Sequence, residues 1–158
     1  MVGEASGDLH ASCLMQAISS LDRSSQFFGI GGEKMERLNF QSLVSIKNLN
    51  VMGFFEVFKR LPYFLKLKNR VVEDIKQKRP DKLILVDYPG FNLKLAESIK
   101  KELEIPIIYY ISPQVWAWKE KRISIIKKYV DSMIVLFPFE KHWYARRGIS
   151  VCYFGHPI

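Results

Sequence analysis

Two rhythms of apolar and polar positions alternate along this chain. Short apolar runs, rich in β-branched and aromatic residues and closed by turn residues, fall at 26–30, 43–46, 83–87, 105–111, 132–137 and 151–154 and predict six strands. Between them the spacing becomes helical. Ala11, Leu14, Met15 and Ile18 stand at i, i+3, i+4 and i+7, Phe64, Leu67, Val71 and Ile75 form a second stripe, and Leu93, Leu95, Ala96 and Ile99 carry a helix running to about Glu102. One or two helical turns at 34–38 and a helix opened by Pro138 complete the series. Strands alternating with helices, with no fixed-period repeat and no low-complexity linker, predict an α/β fold built on a doubly wound, mostly parallel sheet with right-handed crossovers.

The stretch LILVDYPGFN, residues 83–92, organises the rest. A buried strand ends in Asp87, and a Tyr-Pro-Gly turn leads to Asn92, which is expected to cap the following helix. Ligands of open α/β sheets bind beyond the carboxyl ends of the strands, so an acid at that position faces a cleft, unless it only ties down the turn. Other polar turns gather at the same edge. The segment GEASGD, residues 3–8, leads directly into a helix, with Ser6 as the expected N-cap; a strand normally precedes such a junction, and here only two residues do. It matches neither GxGxxG nor GxxxxGK, and Glu4 and Asp8 would repel an anion, so contact of Gly3, Glu4, Ser6, Gly7 and Asp8 with a sugar or hydroxyl is favoured over a phosphate cradle. Gly31 and Gly32 make another flexible turn, Ser112 and Gln114 follow a strand end, Trp116 and Trp118 are placed either to cover the sheet or to stack on a sugar or acyl group, and His156 closes the last strand. Lys119, Lys121 and Arg122 form a basic cluster that suits a solvated helix start or a phosphate. Glu140, an acid in the first turn of a helix, is accounted for by that position.

Residues 51–78 carry more apolar surface than one packing face needs. Pro62 is expected in the first turn of a second helix after a shorter one. Beyond the core stripe, Phe54, Phe55, Phe58, Leu61, Tyr63 and Leu65 are interleaved with Lys59, Arg60, Lys66, Lys68 and Arg70, a pattern suited to a membrane interface or an acyl-chain surface, against the alternative of a buried helix pair with snorkelling lysines.

The 158 residues suit one domain, 1–158, and the net charge of +8 points to an anionic partner: nucleic acid, a lipid headgroup surface or a phosphorylated substrate. Cys13 and Cys152 lack ligand or disulfide spacing, which fits a reducing cytosol and gives no zinc site. No run approaches the roughly 18 apolar residues that span a bilayer.

Taken in order, GEASGD, VMGFFEV, VDYPGFN, YYISPQVWAW, PFEK and GHP make the chain resemble the N-terminal half of the lipid-A-disaccharide synthases over nearly its whole length. The resemblance implies a Rossmann-like, acceptor-side domain of a two-domain GT-B glycosyltransferase, cytoplasmic and peripheral on the bacterial inner membrane. It implies metal-independent, cofactor-free inverting transfer from UDP-2,3-diacylglucosamine to 2,3-diacylglucosamine 1-phosphate, giving the β-1,6-linked disaccharide and UDP. The acid matching Asp87 is the family's candidate base, and the position of a second acid in some relatives is Gly90 here. Family members carry a strand before GEASGD and a UDP-binding domain after GHP, so this half alone is expected not to complete the reaction. A non-catalytic lipid-binding module is the alternative, and a basic nucleic-acid binder is a more distant one.

Overall fold

A computed structural model describes residues 1–47, 61–116 and 120–155. The chain divides into two compact units, Met1–Asp74 and Ile75–Ile158.

In the first unit, helix α1 (Ala5–Leu21) precedes strand β1 (Phe28–Gly31), the single-turn helix α2 (Glu33–Glu36) and strand β2 (Gln41–Ser45). β1 and β2 pair in parallel, with a register shift between Gly29 and Ile30. The face of α1 that is most deeply buried runs through Asp8, Ala11, Ser12 and Met15, while Leu14 and Ile18 are half-buried. A carboxylate on a buried helix face has to be bonded, and Asp8 is: its oxygens accept from the backbone N–H groups of Gly32, Lys34 and Met35 at 3.0, 3.0 and 3.2 Å. It thereby caps α2. The helix α1 itself starts one residue before the expected cap, with Glu4 in extended backbone as N-cap and the Ser6 hydroxyl donating to the Glu4 carboxylate at 2.8 Å. Ser6 is therefore inside the first turn rather than the N-cap. Ahead of it the Val2 N–H donates to the Ile30 carbonyl at 3.1 Å, bringing the first residues alongside β1.

Helix α3 (Leu61–Lys78) has Pro62 in its first turn, as its fixed φ and missing N–H require. Leu67, Val71, Val72 and Ile75 are buried and Phe64 is half-buried, so the stripe lies close to where its spacing put it. The shorter helix expected before Pro62 lies outside the described residues.

The second unit holds a four-stranded parallel sheet in chain order: β3 (Leu83–Val86), β4 (Ile107–Tyr110), β5 (Ser132–Val135) and β6 (Cys152–Tyr153). Leu85 pairs with Tyr109 and Tyr109 with Met133, and this row is buried. Helix α4 (Pro89–Glu102) connects β3 to β4; a 3-10 turn (Glu120–Arg122) and helix α5 (Ile123–Tyr129) connect β4 to β5; helix α6 (Pro138–Ala145) connects β5 to β6. Leu95, Ala96 and Ile99 of α4 and Ile126 of α5 close the core. The α/β class and the parallel pairing are those read from the pattern. The pairing is observed as two ladders, one within each unit.

Asn92 differs from its expected place. Pro89 occupies the first position of α4 and Tyr88 is the N-cap, so Asn92 lies within the first turn, buried, and reaches backwards as a donor instead of capping as an acceptor. The proline ring presets the helical φ three residues before Asn92, which is why the helix starts there.

Candidate functional site

The apolar run of β3 ends in two consecutive non-glycine residues with left-handed backbone, Asp87 (φ 45°) and Tyr88 (φ 45°). Each costs about 1–3 kcal/mol and persists only where its surroundings hold it. Three bonds do so. The Asp87 carbonyl accepts from the Tyr109 hydroxyl at 2.6 Å and from the Asn92 side-chain amide at 2.8 Å, and the Asp87 N–H donates to the Tyr110 carbonyl at 3.3 Å. Asn92 also donates to the Val86 carbonyl at 3.3 Å. Tyr109 is fully buried. Burial, reinforced by the negative charge of Asp87, pushes its phenol well above the usual range, with Arg122 acting in the opposite sense. Tyr109 thus stays a neutral donor at any physiological pH. The backbone of Asp87 is fixed while its side chain, half-buried, projects from a strand end.

A second construction lies beyond β4 and β5. Glu140, 1% exposed, accepts at Oε2 from the N–H groups of Leu136 and Phe137 at 3.1 and 2.9 Å, and at Oε1 from the Ser112 hydroxyl at 2.7 Å and the Trp116 indole N–H at 3.3 Å. The Ser112 N–H donates to Ile134, and the Tyr144 hydroxyl donates to the Pro113 carbonyl at 3.2 Å, so the 112–116 turn is tied to both β5 and α6. Burial and the charge of Glu140 both raise Tyr144, which also remains a neutral donor. Above this frame Trp116 meets Phe139 edge to face at 5.1 Å, and Phe137 stacks on Phe139 at 5.7 Å. All three rings are partly in solvent.

The sequence-predicted residues therefore take different kinds of place. Asp87 and Asn92 are joined in one turn, with Asn92 acting through the backbone. Ser112 and Trp116 are joined through Glu140, and Gln114 is exposed between them. In the first unit Gly3 and Gly7 are buried and Glu4 and Ser6 are exposed. The glycines at 31 and 32 answer a packing demand: a Cβ on Gly31 would stand 2.5 Å from the Phe40 ring, and one on Gly32 2.6 Å from the Asp8 carboxyl. Leu65 and Lys66 are exposed on α3, Tyr63 and Lys68 are half-buried, and Leu61 opens the helix. Phe54, Phe55, Phe58, Lys59, Arg60, Trp118, Lys119 and His156 lie outside the described residues. Among the described residues no group of His, Cys, Asp or Glu is arranged to hold a metal, and no helix is long and apolar enough to cross a membrane.

Sequence reasoning missed Tyr109 and the wider reach of Glu140. Tyr109 sits in an apolar run where a tyrosine reads as core. Glu140 satisfied a simple helix-start rule, so nothing in its spacing asked for a second partner.

The model of the lipid-A-disaccharide synthetase family matches residues 1–158. Among curated relatives, a lipid-A-disaccharide synthase of Trichlorobacter lovleyi is 43% identical over 162 residues, covering 100% of this chain and 41% of its own length. One from Hydrogenovibrio crunogenus is 44% identical over 158 residues, 100% of this chain and 42% of its own length. Lipid-A-disaccharide synthase 1 of Legionella pneumophila is 44% identical over 162 residues, with 41% of its length covered. The chain spans about two-fifths of the length of these relatives. With the match running from its first residue to its last, the chain belongs to the lipid-A-disaccharide synthetase family.

Proposed function

We propose that this chain forms the acceptor-side part of a glycosyltransferase that condenses UDP-2,3-diacylglucosamine with 2,3-diacylglucosamine 1-phosphate. Asp87 accepts the proton of the acceptor's 6-hydroxyl as that oxygen bonds to the anomeric carbon of the donor; the bond from that carbon to the UDP oxygen breaks, and UDP leaves with inversion. An ordinary carboxylate, with a pKa of about 4, does this work through a raised basicity in the closed site or by orienting the hydroxyl. Arg122, within electrostatic reach of the phenol that Asp87 also influences, supplies positive charge for the acceptor phosphate. The aromatic and basic residues 54–68 meet acyl chains and the anionic inner-membrane surface, bringing the site to substrates that hardly leave the bilayer.

What supports this reading is the strained, doubly bonded turn that presents Asp87 at a strand end, in a chain matched throughout by the family. The test is a titration of the chain with 2,3-diacylglucosamine 1-phosphate in mixed micelles, followed by tryptophan fluorescence, beside a titration with single-stranded RNA. A saturable response to the acylated sugar phosphate is expected. No response to it, with tight and steeply salt-dependent RNA binding instead, would overturn the reading in favour of a nucleic-acid binder.

A further inference from the structure

Capping a helix N-terminus needs one oxygen of an acid, and Glu140 uses Oε2 for that. Its Oε1 does something a cap does not require: it reaches the loop after the neighbouring strand and takes the Ser112 hydroxyl and the Trp116 indole N–H. An indole that is 37% exposed would ordinarily sample several rotamers. Here its N–H is bonded to a buried carboxylate and its ring packs against the edge or face of Phe139. The result is an aromatic surface fixed in orientation before anything binds, the property that a stacking platform for the apolar face of a sugar ring requires.

We propose that Glu140 is a positioning residue that holds Trp116 as a preformed stacking surface for the acceptor's sugar ring. The sugar rests on the acceptor-side reading above, whereas the positioning can be judged without any ligand.

Glu140→Gln separates the two tasks of the side chain. An amide has one acceptor oxygen. That oxygen stays with the two backbone N–H groups, which leaves an NH2 facing the indole N–H, donor against donor, while the Ser112 hydroxyl can turn to accept. Trp116 alone is released. In the unaltered chain, with the Trp116 indole signal assigned by its loss in Trp116→Phe, the indole N–H is expected to exchange at least about tenfold more slowly than free indole, as a charge-assisted bond implies. In Glu140→Gln it exchanges at the free rate while the amides of Leu136 and Phe137 stay protected. An unmoved indole signal overturns the proposal, and so does loss of protection at all three groups together, which marks a purely structural acid. Should the variant not fold, free exchange of the indole in the unaltered chain overturns it equally.

The binding arm uses 2,3-diacylglucosamine 1-phosphate in mixed micelles. Glu140→Gln is expected to weaken binding about tenfold, and to weaken it no further when Trp116 is already phenylalanine. Additive losses mean that Glu140 acts elsewhere and overturn the proposal. Absence of binding by the unaltered chain overturns the acceptor-side reading and the platform with it, and the indole exchange then still decides whether Glu140 positions Trp116.

Discussion

Asp87 and Tyr88 pay for their left-handed backbone with bonds made by residues elsewhere in the fold. Asn92 supplies two of them, to the Val86 and Asp87 carbonyls. Asn92→Ala leaves the Val86 carbonyl without that donor and the turn held only by the Tyr109 hydroxyl and the Asp87 N–H bond to Tyr110, so it is expected to lower stability by about 1–3 kcal/mol in a denaturant titration. Tyr109→Phe removes a single bond from a carbonyl that keeps a second donor, and about 1 kcal/mol is expected. The glycines divide in the same physical way. Gly32→Ala drives a methyl group against Asp8 and Ile46 and is expected to cost about 1–3 kcal/mol, whereas Gly90→Ala meets nothing within 4 Å and, placed in the first turn of α4, is expected to be neutral or to add up to about 1 kcal/mol. A single unfolding series on the two variants checks both signs.

Parallel strands as short as four residues rely on ties at their ends, and Asp131 is one. It accepts from the Ile107 N–H at 2.6 Å and pairs with Lys100 at 2.7 Å, joining the start of β4, the approach to β5 and the end of α4. Burial is the largest influence on its carboxyl and acts upward, but the Ile107 and Lys100 bonds together outweigh it and hold the pKa below the ordinary value of 3.8. A depressed folded pKa means that the unfolded chain takes up the proton first on acidification. The contribution of Asp131 to stability is therefore fully present above the unfolded pKa and is lost as pH falls through the folded one. Stability measured between pH 5 and pH 2 is expected to fall less steeply in Asp131→Asn than in the native chain. Elements of this kind are legible from pattern: β3, the body of α4 and the Pro-opened starts of α3 and α6 lie where periodicity and proline chemistry put them, whereas α4 starts at Pro89, ahead of the expected cap. Their ends and side-chain partners are less so. Spacing makes Asn92 look like a cap because it cannot show that a carbonyl six residues earlier needs a donor, and the Glu140–Trp116 bond joins residues 24 apart in sequence.

At the scale of the molecule, a net charge of +8 and the aromatic-basic stretch at 54–68 lead to one expectation about partners. Binding to vesicles containing anionic lipid should weaken as salt rises, and replacing Phe54, Phe55 and Phe58 by serine should reduce sedimentation with those vesicles at fixed salt. Unchanged partition would return the phenylalanines to a packing role. Charge alone does not separate lipid from nucleic acid, since both are anionic. The family match over every residue does more, because lipid-A-disaccharide synthases of known name share this whole stretch while extending well beyond it. The proposed chemistry rests on the carboxylate that closes β3. Its most direct test is turnover in a full-length relative with the aspartate aligned to Asp87 changed to asparagine, measured together with binding of 2,3-diacylglucosamine 1-phosphate. A fall in kcat of at least about 100-fold, with acceptor affinity changed less than about threefold, is expected. A variant that keeps a substantial fraction of the native rate would contradict that chemistry.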